Sequence, residues 1–427
     1  MNINNLNRRS FLGNSTLAGA TVLAGSAFAQ NTAGGSKKLK CVIIGCGGRG
    51  TGAVKNFLEA CKIAGVQGEL VATADAFKAK SEKLGKAYGL DASKCFSGFD
   101  AYKKAIAEDC DYVLMATPPN FRPLHFDAAV EAGKHCFIEK PVAVDPAGCR
   151  QVIATGEKAK AKGLAVVCGT QRRHSANYLL NKARIDAGAI GEIKGGVVQW
   201  NGRVPWVRKR ESGQSDADYL ANNWLNFVEM SGDHIVEQHV HNLDVAIWYL
   251  GRLPTSAIGF GGRARRVSGN SFDFFSVDYD FGKDVHIHSQ CRQIHDCYNR
   301  VGEMFTGTHG VCLGGGKLTG KEVNVPEIKV DTKNGQTQEH VDMIRSVIAG
   351  KPLNEAKQIA DSTAVAIMGR IACFTGKLVT FRDLMEREGS DFYNLTCGPT
   401  AADFEKGAVT APAEEAVLPG AFDPRFS

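Results

Sequence analysis

A glutamate and a histidine four residues apart, Glu237 and His241, have the types and spacing of an acid–base pair. The apolar periodicity over residues 233–250, followed by Gly251, predicts a single helix on which the two side chains share a face. Glu237 would then orient the imidazole, and neutral His241 would accept a proton from a substrate hydroxyl group. The alternative is a core histidine with satisfied hydrogen bonds.

The same stretch also raises the question of a metal site, because it holds three histidines and one glutamate. These residues are His234, Glu237, His239 and His241. His239 points away from the face that the others share, so the helix offers at most three ligands, spread over almost two turns. We therefore predict no metal at this position.

A glycine-rich turn offers a different chemistry, the binding of a pyrophosphate. It consists of Gly45, Cys46, Gly47, Gly48, Arg49 and Gly50, with the spacing G-x-G-x-x-G. The first glycine permits a tight turn, the second lets the backbone approach the phosphates, and the last lets the following helix pack on the preceding strand. The free N–H groups of that helix start would bind the anion. Because the turn lies between an apolar strand and an amphipathic helix, we predict a dinucleotide site.

Asp75 stands at the end of the second predicted strand, residues 69–74. A carboxylate at this position accepts hydrogen bonds from the adenosine ribose hydroxyls and repels a 2′-phosphate. This predicts NAD as the cofactor, with NADP disfavoured. The alternative is that Asp75 caps the N-terminus of the next helix.

Two more apolar strands end in turns whose side chains should border the cofactor. Thr117, Pro118 and Asn120 follow one strand, and Glu139 and Lys140 follow the next. Ligands of open parallel sheets bind beyond the carboxyl ends of the strands, so both turns belong to the predicted site.

The elements that must position these residues fall into two patterns. Strand-like and helical stretches alternate over residues 38–168, which predicts an α/β domain with a doubly wound parallel sheet. Residues 169–389 contain runs of alternating polarity interrupted by helices, which predicts a second domain with an antiparallel sheet. Residues 390–427 carry four prolines and are expected to form an extended arm.

The composition is that of an ordinary globular protein, with 427 residues, 44% hydrophobic, and a formal net charge of +6. No long basic run exists, which argues against a nucleic-acid partner. No apolar run beyond the N-terminal segment reaches the ~18 residues of a membrane span, so we predict no stable membrane insertion. The thirteen cysteines form no C-x-x-C pair, and we interpret them mainly as reduced core residues.

Residues 1–29 have the features of an export signal. They contain no acidic residue, the adjacent pair Arg8 and Arg9, a mild apolar stretch and the small-x-small ending Ala27-Phe28-Ala29. This pattern resembles a twin-arginine signal and predicts a periplasmic or secreted protein that folds before export. The alternative is a disordered basic tail.

Taken together, these motifs resemble the Gfo/Idh/MocA family, the group of glucose–fructose oxidoreductase and inositol dehydrogenase. The resemblance rests on the glycine turn, Asp75, T-P-P-N…H over residues 117–125, A-G-K-H-C-F-I-E-K-P over residues 132–141, and a later G-x(8)-H-N-L-D. It implies a Rossmann domain followed by a C-terminal α/β domain with a large open sheet through which homo-oligomers form. It also implies a sugar or cyclitol substrate.

The resemblance also implies roles for individual residues. Lys140 would lie at the nicotinamide and substrate, His125 at the cofactor, and His241 would be the catalytic histidine. Glu237 stands where the family usually has aspartate, which keeps the charge but lengthens the side chain. Arg172, just after a predicted strand, is a candidate substrate ligand, with a surface arginine as the alternative.

Aromatic and basic side chains in the second domain could line a sugar site. These are Trp200, Arg203, Trp206, Arg208 and Trp224. Core packing explains each aromatic residue equally well.

We therefore predict an exported NAD-dependent oxidoreductase that transfers hydride between a sugar or cyclitol carbon and a retained nicotinamide. We expect the cofactor to stay bound because of the predicted location, since no nicotinamide pool exists outside the cytoplasm. One alternative is a glycoside hydrolase that oxidises its sugar transiently and eliminates the aglycone. Another is a non-catalytic sugar-binding protein.

Overall fold

The structure is a computed structural model that describes residues 38–420. The predicted export signal, residues 1–29, and the end of the predicted arm, residues 421–427, lie outside the described residues. Among the helices of the described part, none has the length and apolarity to cross a bilayer. All thirteen cysteines are described and are free thiols, and all except Cys95 and Cys297 are buried.

Strands and helices alternate through residues 38–168, which form the first half of the fold. They are β1 (Lys38–Ile44), α1 (Gly48–Ile63), β2 (Gln67–Asp75), α2 (Lys78–Ala87), β3 (Cys95–Ser97), α3 (Ala101–Ile106), β4 (Tyr112–Met115), α4 (Arg122–Glu131), β5 (His135–Ile138), α5 (Pro146–Ala161) and β6 (Val166–Cys168). The six strands are parallel in the order β3-β2-β1-β4-β5-β6. This confirms the predicted doubly wound Rossmann sheet, whose strand ends meet at one edge.

The second half is built around an eight-stranded sheet. Its elements are α6 (Ala176–Asp186), β7 (Ile193–Gly202), α7 (Asp216–Asn222), α8 (Val228–Ser231), α9 (His234–Glu237), α10 (Val240–Leu250), β8 (Ser256–Gly262), β9 (Phe274–Asp280), β10 (His286–Gln293), β11 (Arg300–Gly307), β12 (Val311–Cys312), β13 (Leu318–Thr319), α11 (Gly335–Ile348), α12 (Ala356–Thr375), β14 (Val379–Thr380), α13 (Phe381–Met385) and α14 (Ala401–Lys406). The strand order is β13-β12-β11-β7-β10-β9-β8-β14, and only the β7–β10 pair of these described strands is parallel. The predicted mostly antiparallel open sheet is therefore confirmed.

One face of this sheet packs against helices, and the other is open. Tyr279 of β9 is fully buried and its hydroxyl donates to the carbonyl of Val365 on α12 at 3.1 Å. On the opposite face of β8, Ile258 and Phe260 are 51% and 67% exposed. The alternation of buried and exposed positions along β8 and β9 is the pattern from which the sheet was predicted.

The chain returns from the second sheet to the first half. On α11, Thr337 Oγ1 accepts a hydrogen bond of 2.9 Å from Asn56 of α1, and the backbone at Asn354 bridges to Val166 of β6. The parallel sheet is thus covered by a helix that follows it by more than 160 residues in sequence. The domain limits at residues 168 and 389 stay a prediction. A single boundary at residue 168 would assign α11 to the second domain, although this helix contacts α1 of the first.

The predicted single helix over residues 233–250 is wrong. The structure has two helices, α9 and α10, separated by Gln238 and His239. The buried His239 ring bonds Ser289 Oγ at 2.7 Å, and Gln238 accepts from Gln293 at 2.8 Å. These contacts to the sheet pull the chain out of helical register, so residues 237 and 241 do not share one helical face.

The predicted extended arm is packed rather than wholly extended over its described part, residues 390–420. It contains α14, at whose start the Asp403 carboxylate accepts hydrogen bonds of 2.8 Å from both the backbone N–H and the hydroxyl of Thr400. Phe404 on this helix is only 2% exposed.

Candidate active site

The glycine turn between β1 and α1 has the geometry of a phosphate cradle. Gly45 has φ +94°, a backbone conformation that residues other than glycine rarely adopt. A Cβ atom on Gly50 would lie 1.8 Å from the Gly45 carbonyl oxygen, whereas Gly47 and Gly48 face open space. Helix α1 starts at Gly48 with no side-chain cap, so its first N–H groups are available to an anion.

Asp75 lies at the end of β2 and braces this turn. Its two carboxylate oxygens accept from the backbone N–H groups of Cys46 at 2.7 Å and Phe77 at 2.9 Å. Since the N-cap of α2 is Phe77, Asp75 is not the helix cap of the alternative interpretation. The carboxylate borders the cleft where an adenosine ribose would lie.

A cleft runs along the carboxyl ends of β1, β2, β3 and β4. Predicted cofactor residues on its lining are Gly45, Gly47, Asp75, Thr117, Pro118 and His125. Residues that were not predicted for the cofactor site also line it, namely Phe77, Lys80, Phe99, Tyr102, Phe121, Ala221 and Trp224, among others. Ala221 and Trp224 come from the second half of the chain, so both halves enclose the cleft.

His125 and Asn120 are placed differently relative to this cleft. The His125 ring lies 4.3 Å from the Tyr102 ring, and its Nδ1 is 3.3 Å from Thr117 Oγ1. Burial lowers the pKa of His125 to about 3, so it is a neutral part of the wall. Asn120 does not line the cleft, because its amide donates to the carbonyls of Glu229 at 2.7 Å and Pro399 at 2.9 Å.

Two predicted cofactor residues, Arg49 and Glu139, bind each other. Arg49 Nε lies 2.8 Å from Glu139 Oε1, and Glu139 is 4% exposed. A Cβ atom on Gly169 would lie 2.6 Å from the same carboxylate, so a larger residue there would require the Glu139 side chain to move. The pair joins the glycine turn to the end of β5, next to Lys140.

Lys140 forms the junction between the two halves. Its Nζ donates to the Glu237 backbone carbonyl at 2.5 Å and to Glu237 Oε1 at 3.0 Å. Both side chains are 13% exposed. The Glu237 carboxylate thus has Lys140 as its partner in this structure, whereas the sequence predicts His241.

His241 lies beside this pair and is 7% exposed. Its ring stacks on Trp200 of β7, with the centroids 5.8 Å apart and the planes 20° apart. Burial, and after it the charges of Lys140 and Arg172, hold the pKa of His241 well below its usual value. The imidazole is thus neutral at pH 7, as a proton acceptor must be.

Arg172 is held in place rather than free at the surface. Its guanidinium binds the buried Glu303 carboxylate, and it lies 5.8 Å from the Trp200 ring centroid. Asn242 donates to the same carboxylate at 2.7 Å, and burial raises the Glu303 pKa. Glu303 was missed because β11 carries no clear alternation of polarity in the sequence.

The remaining candidate residues make contacts with neighbouring side chains. His234 Nδ1 lies 3.1 Å from Asp233, and no cluster of three or more potential metal ligands occurs among residues 38–420. Trp206 and Trp224 pack edge to face at 5.9 Å, with Arg208 over Trp206. Trp200 and Trp224 are thus the tryptophans of the predicted aromatic set that reach the site or the cleft.

Fold and site together define a two-sheet α/β protein with a dinucleotide cleft. Residues 39–168 match the model of the GFO_IDH_MocA family, described as an oxidoreductase family with an NAD-binding Rossmann fold. This match and the glycine cradle assign the first half as an NAD-binding Rossmann domain, with NAD as its cofactor.

Curated relatives share part of the chain. The scyllo-inositol 2-dehydrogenase (NAD(+)) of Bacillus subtilis is 27% identical over 235 residues, 55% of this chain and 59% of the relative. A glycosyl hydrolase family 109 protein of Shewanella pealeana is 25% identical over 304 residues, 64% of each. The chain spans about half the length of the first relatives it matches, 47–59%.

Solved structures share the fold. The WlbA dehydrogenase from Bordetella pertussis, in complex with NADH and UDP-GlcNAcA, superimposes with a TM-score of 0.62 and 20% identity. The superposition covers 81% of this chain and 99% of that one. Both sheets of the present chain therefore belong to a known arrangement.

Proposed function

We propose that the protein is an NAD-dependent oxidoreductase that transfers hydride between the cofactor and a hydroxyl-bearing carbon of a sugar or cyclitol. The observation that carries this proposal is the convergence of Lys140, at the cofactor edge of the parallel sheet, with Glu237 and His241 from the second half. The inositol dehydrogenase named among the relatives supports the substrate class.

In this proposal the chain's own residues handle the proton. Neutral His241 accepts the proton of the substrate hydroxyl, and Lys140 donates a hydrogen bond to the same oxygen. Glu237 positions the Lys140 ammonium through the 3.0 Å contact. NAD, when bound, supplies the hydride acceptor at the carbon.

Trp200 and Arg172 are proposed to hold the substrate. The Trp200 face already orients His241, and the Glu303 carboxylate fixes the Arg172 guanidinium as a directed donor. Such a donor, held by a second residue, loses little freedom when it binds a sugar hydroxyl.

The direct test is a panel of sugars and cyclitols incubated with the purified protein and NAD. Reduction of nicotinamide and the matching oxidised product in mass spectrometry support the proposal, and Lys140→Met should lower the rate of both by about 10² or more. If no member of a broad panel changes the nicotinamide redox state while sugars still bind, the protein is a sugar-binding protein and the proposal is wrong.

A second candidate is a glycoside hydrolase that oxidises its sugar transiently. The relative from Shewanella pealeana, which covers 64% of the chain, favours this possibility. A panel of aryl glycosides distinguishes the two, because the hydrolase releases aglycone without net change in NAD. Release of aglycone would replace the dehydrogenase proposal.

Export by the twin-arginine route and retention of the cofactor are part of the proposal. The pair Arg8 and Arg9 supports the route. In cell fractionation the protein should appear in the periplasm with near-stoichiometric nicotinamide, and an Arg8→Lys, Arg9→Lys variant should stay in the cytoplasm. Periplasmic protein that needs added NAD and releases NADH at every turnover would contradict retention.

We also propose that the open face of the second sheet joins copies of the chain. Ile258 and Phe260 expose apolar surface on this face, and exposed apolar surface is typical of sites where proteins associate. Light scattering should give a homo-oligomer, and Phe260→Glu should dissociate it. A monomeric wild-type protein would contradict this.

A further inference from the structure

The dinucleotide cleft has two rims that come from different parts of the chain. Phe99, Tyr102 and Phe121 form one rim in the Rossmann half, and Ala221 and Trp224 form the other. Widening the cleft requires these rims to separate. Any segment that contacts both rims opposes that movement.

The C-terminal arm contacts the first rim through α14. The Phe404 ring lies 5.0 Å from Phe99 and 4.9 Å from Phe121, centroid to centroid. The next residue, Glu405, accepts a hydrogen bond of 2.6 Å from the Tyr102 hydroxyl and also binds Lys103.

The same arm contacts the second rim a few residues later. The backbone N–H of Ala411 donates to Asp216 Oδ2 at 2.8 Å, and Glu414 accepts from the Tyr219 hydroxyl at 2.6 Å. Asp216 and Tyr219 lie on α7, the helix that also carries Ala221. One continuous segment thus binds both sides of the cleft.

The arm is fixed before it reaches the cleft. The N–H of Cys397 donates to the buried Asp145 at 2.8 Å, and Arg150 stacks on the Tyr393 ring at 3.5 Å. The Pro399 carbonyl accepts from Asn120 in the turn beside Phe121. The anchors make the arm a tie between the rims and not a loose tail.

We propose that residues 399–414 tie the two rims together and set the rate at which the dinucleotide leaves the cleft. The inference rests on the proposed function in that it takes NAD(H) as the ligand. Phe404 and Glu405 are positioning residues, because they act on the ligand through Phe121 and Tyr102. Dissociation requires local opening of the rims, and the arm raises the free energy of that opening.

The test measures the dissociation rate of NADH after a chase with excess NAD, followed by NADH fluorescence. Phe404→Ala removes the buried ring by which the arm packs on Phe99 and Phe121 of the first rim, and it should raise the rate by about tenfold or more. Glu405→Gln should raise it by about threefold. Leu418→Ala, on the same arm but 76% exposed, is the matched control and should stay within twofold. A rate for Phe404→Ala within twofold of wild type would overturn the proposal.

Hydrogen exchange of the protein without cofactor gives an independent measurement. In Phe404→Ala, and to a lesser degree in Glu405→Gln, amides of residues 99–106 and 216–224 should exchange faster together, while β4 and β5 keep their protection. Faster exchange confined to α14 would overturn the tie. If the wild type binds no NADH, the proposed function fails, and this exchange measurement still decides whether the arm couples the rims.

Discussion

The dinucleotide cleft and the reaction end differ in what builds them. The cleft is shaped by backbone and apolar side chains, with Asp75 and Lys80 as its charged lining residues. The reaction end is a set of ion pairs between distant parts of the chain, such as Lys140 with Glu237 and Arg172 with Glu303. Binding of the dinucleotide should therefore depend on the shape of the cleft, whereas catalysis should depend on which groups form the ion pairs at the reaction end. Substitutions in the two regions should fail in different ways.

The largest effect is expected at the reaction end. Lys140→Met and His241→Ala should each lower kcat by about 10² or more, since each removes a group that handles the proton. Glu237→Gln should cost less, because the amide oxygen and the backbone carbonyl still accept from Lys140. Steady-state kinetics and thermal unfolding measure these effects.

The control for these variants is Lys158→Met, which removes the half-exposed ammonium group of α5 that pairs with Asp127 and Glu131 of α4. It should leave kcat unchanged. Near-full turnover by His241→Ala would show that another group accepts the proton.

Two glycines of one turn should separate folding from binding. Gly50→Ala places a Cβ 1.8 Å from the Gly45 carbonyl and should destabilise the protein by about 3 kcal/mol. Gly47→Ala meets no protein atom within 4 Å, so its melting temperature should not fall. Its Kd for NAD should nevertheless rise more than about tenfold, because the phosphates approach there. Unchanged NAD affinity in Gly47→Ala would mean that the pyrophosphate lies elsewhere.

Acid should lower the stability of the folded protein through His340 of α11. This buried ring lies 4.1 Å from Phe137, and burial lowers its pKa to about 3. Below about pH 6.5 the unfolded state binds a proton that the folded state does not, so stability falls as the pH drops. When the pH falls from 7 to 5, the free energy of unfolding measured with urea should decrease by about 2 kcal/mol less in His340→Met than in the wild type. The comparison at pH 8 isolates the packing change, and equal pH slopes would contradict the prediction.

The smallest effect is expected for the cofactor preference. Asp75→Asn keeps one oxygen to accept from the Cys46 or Phe77 backbone but removes the charge that repels a 2′-phosphate. NAD affinity should fall about tenfold, and the gap to NADP should narrow. Equal affinity of the wild type for NAD and NADP would contradict the role given to Asp75.

What the sequence could predict depends on how local the cause is. The glycine turn was recognisable because its requirements, a positive φ at Gly45 and space at Gly50, arise within six residues. The strands β8, β9 and β10 were recognisable from their alternation of polarity.

Tertiary causes were not recognisable. The break between α9 and α10 depends on the contact of His239 with Ser289, fifty residues away, so the helical pattern alone indicated one helix. Trp224 was a candidate for the sugar site, but it lines the dinucleotide cleft because the second half folds against the first, and no local signal predicts that position.

The return of α11 to α1 has a consequence for the gene. Val341, Met343 and Ile344 of α11 are fully buried in one core with Phe57 of α1 and Tyr112 of β4. A coding sequence cut after residue 168 would therefore encode an incomplete interior, although it contains every strand of the parallel sheet. The nucleotide-binding half is not a portable module, and transplanting it into another protein requires α11, a segment that begins more than 160 residues after the last strand of the parallel sheet.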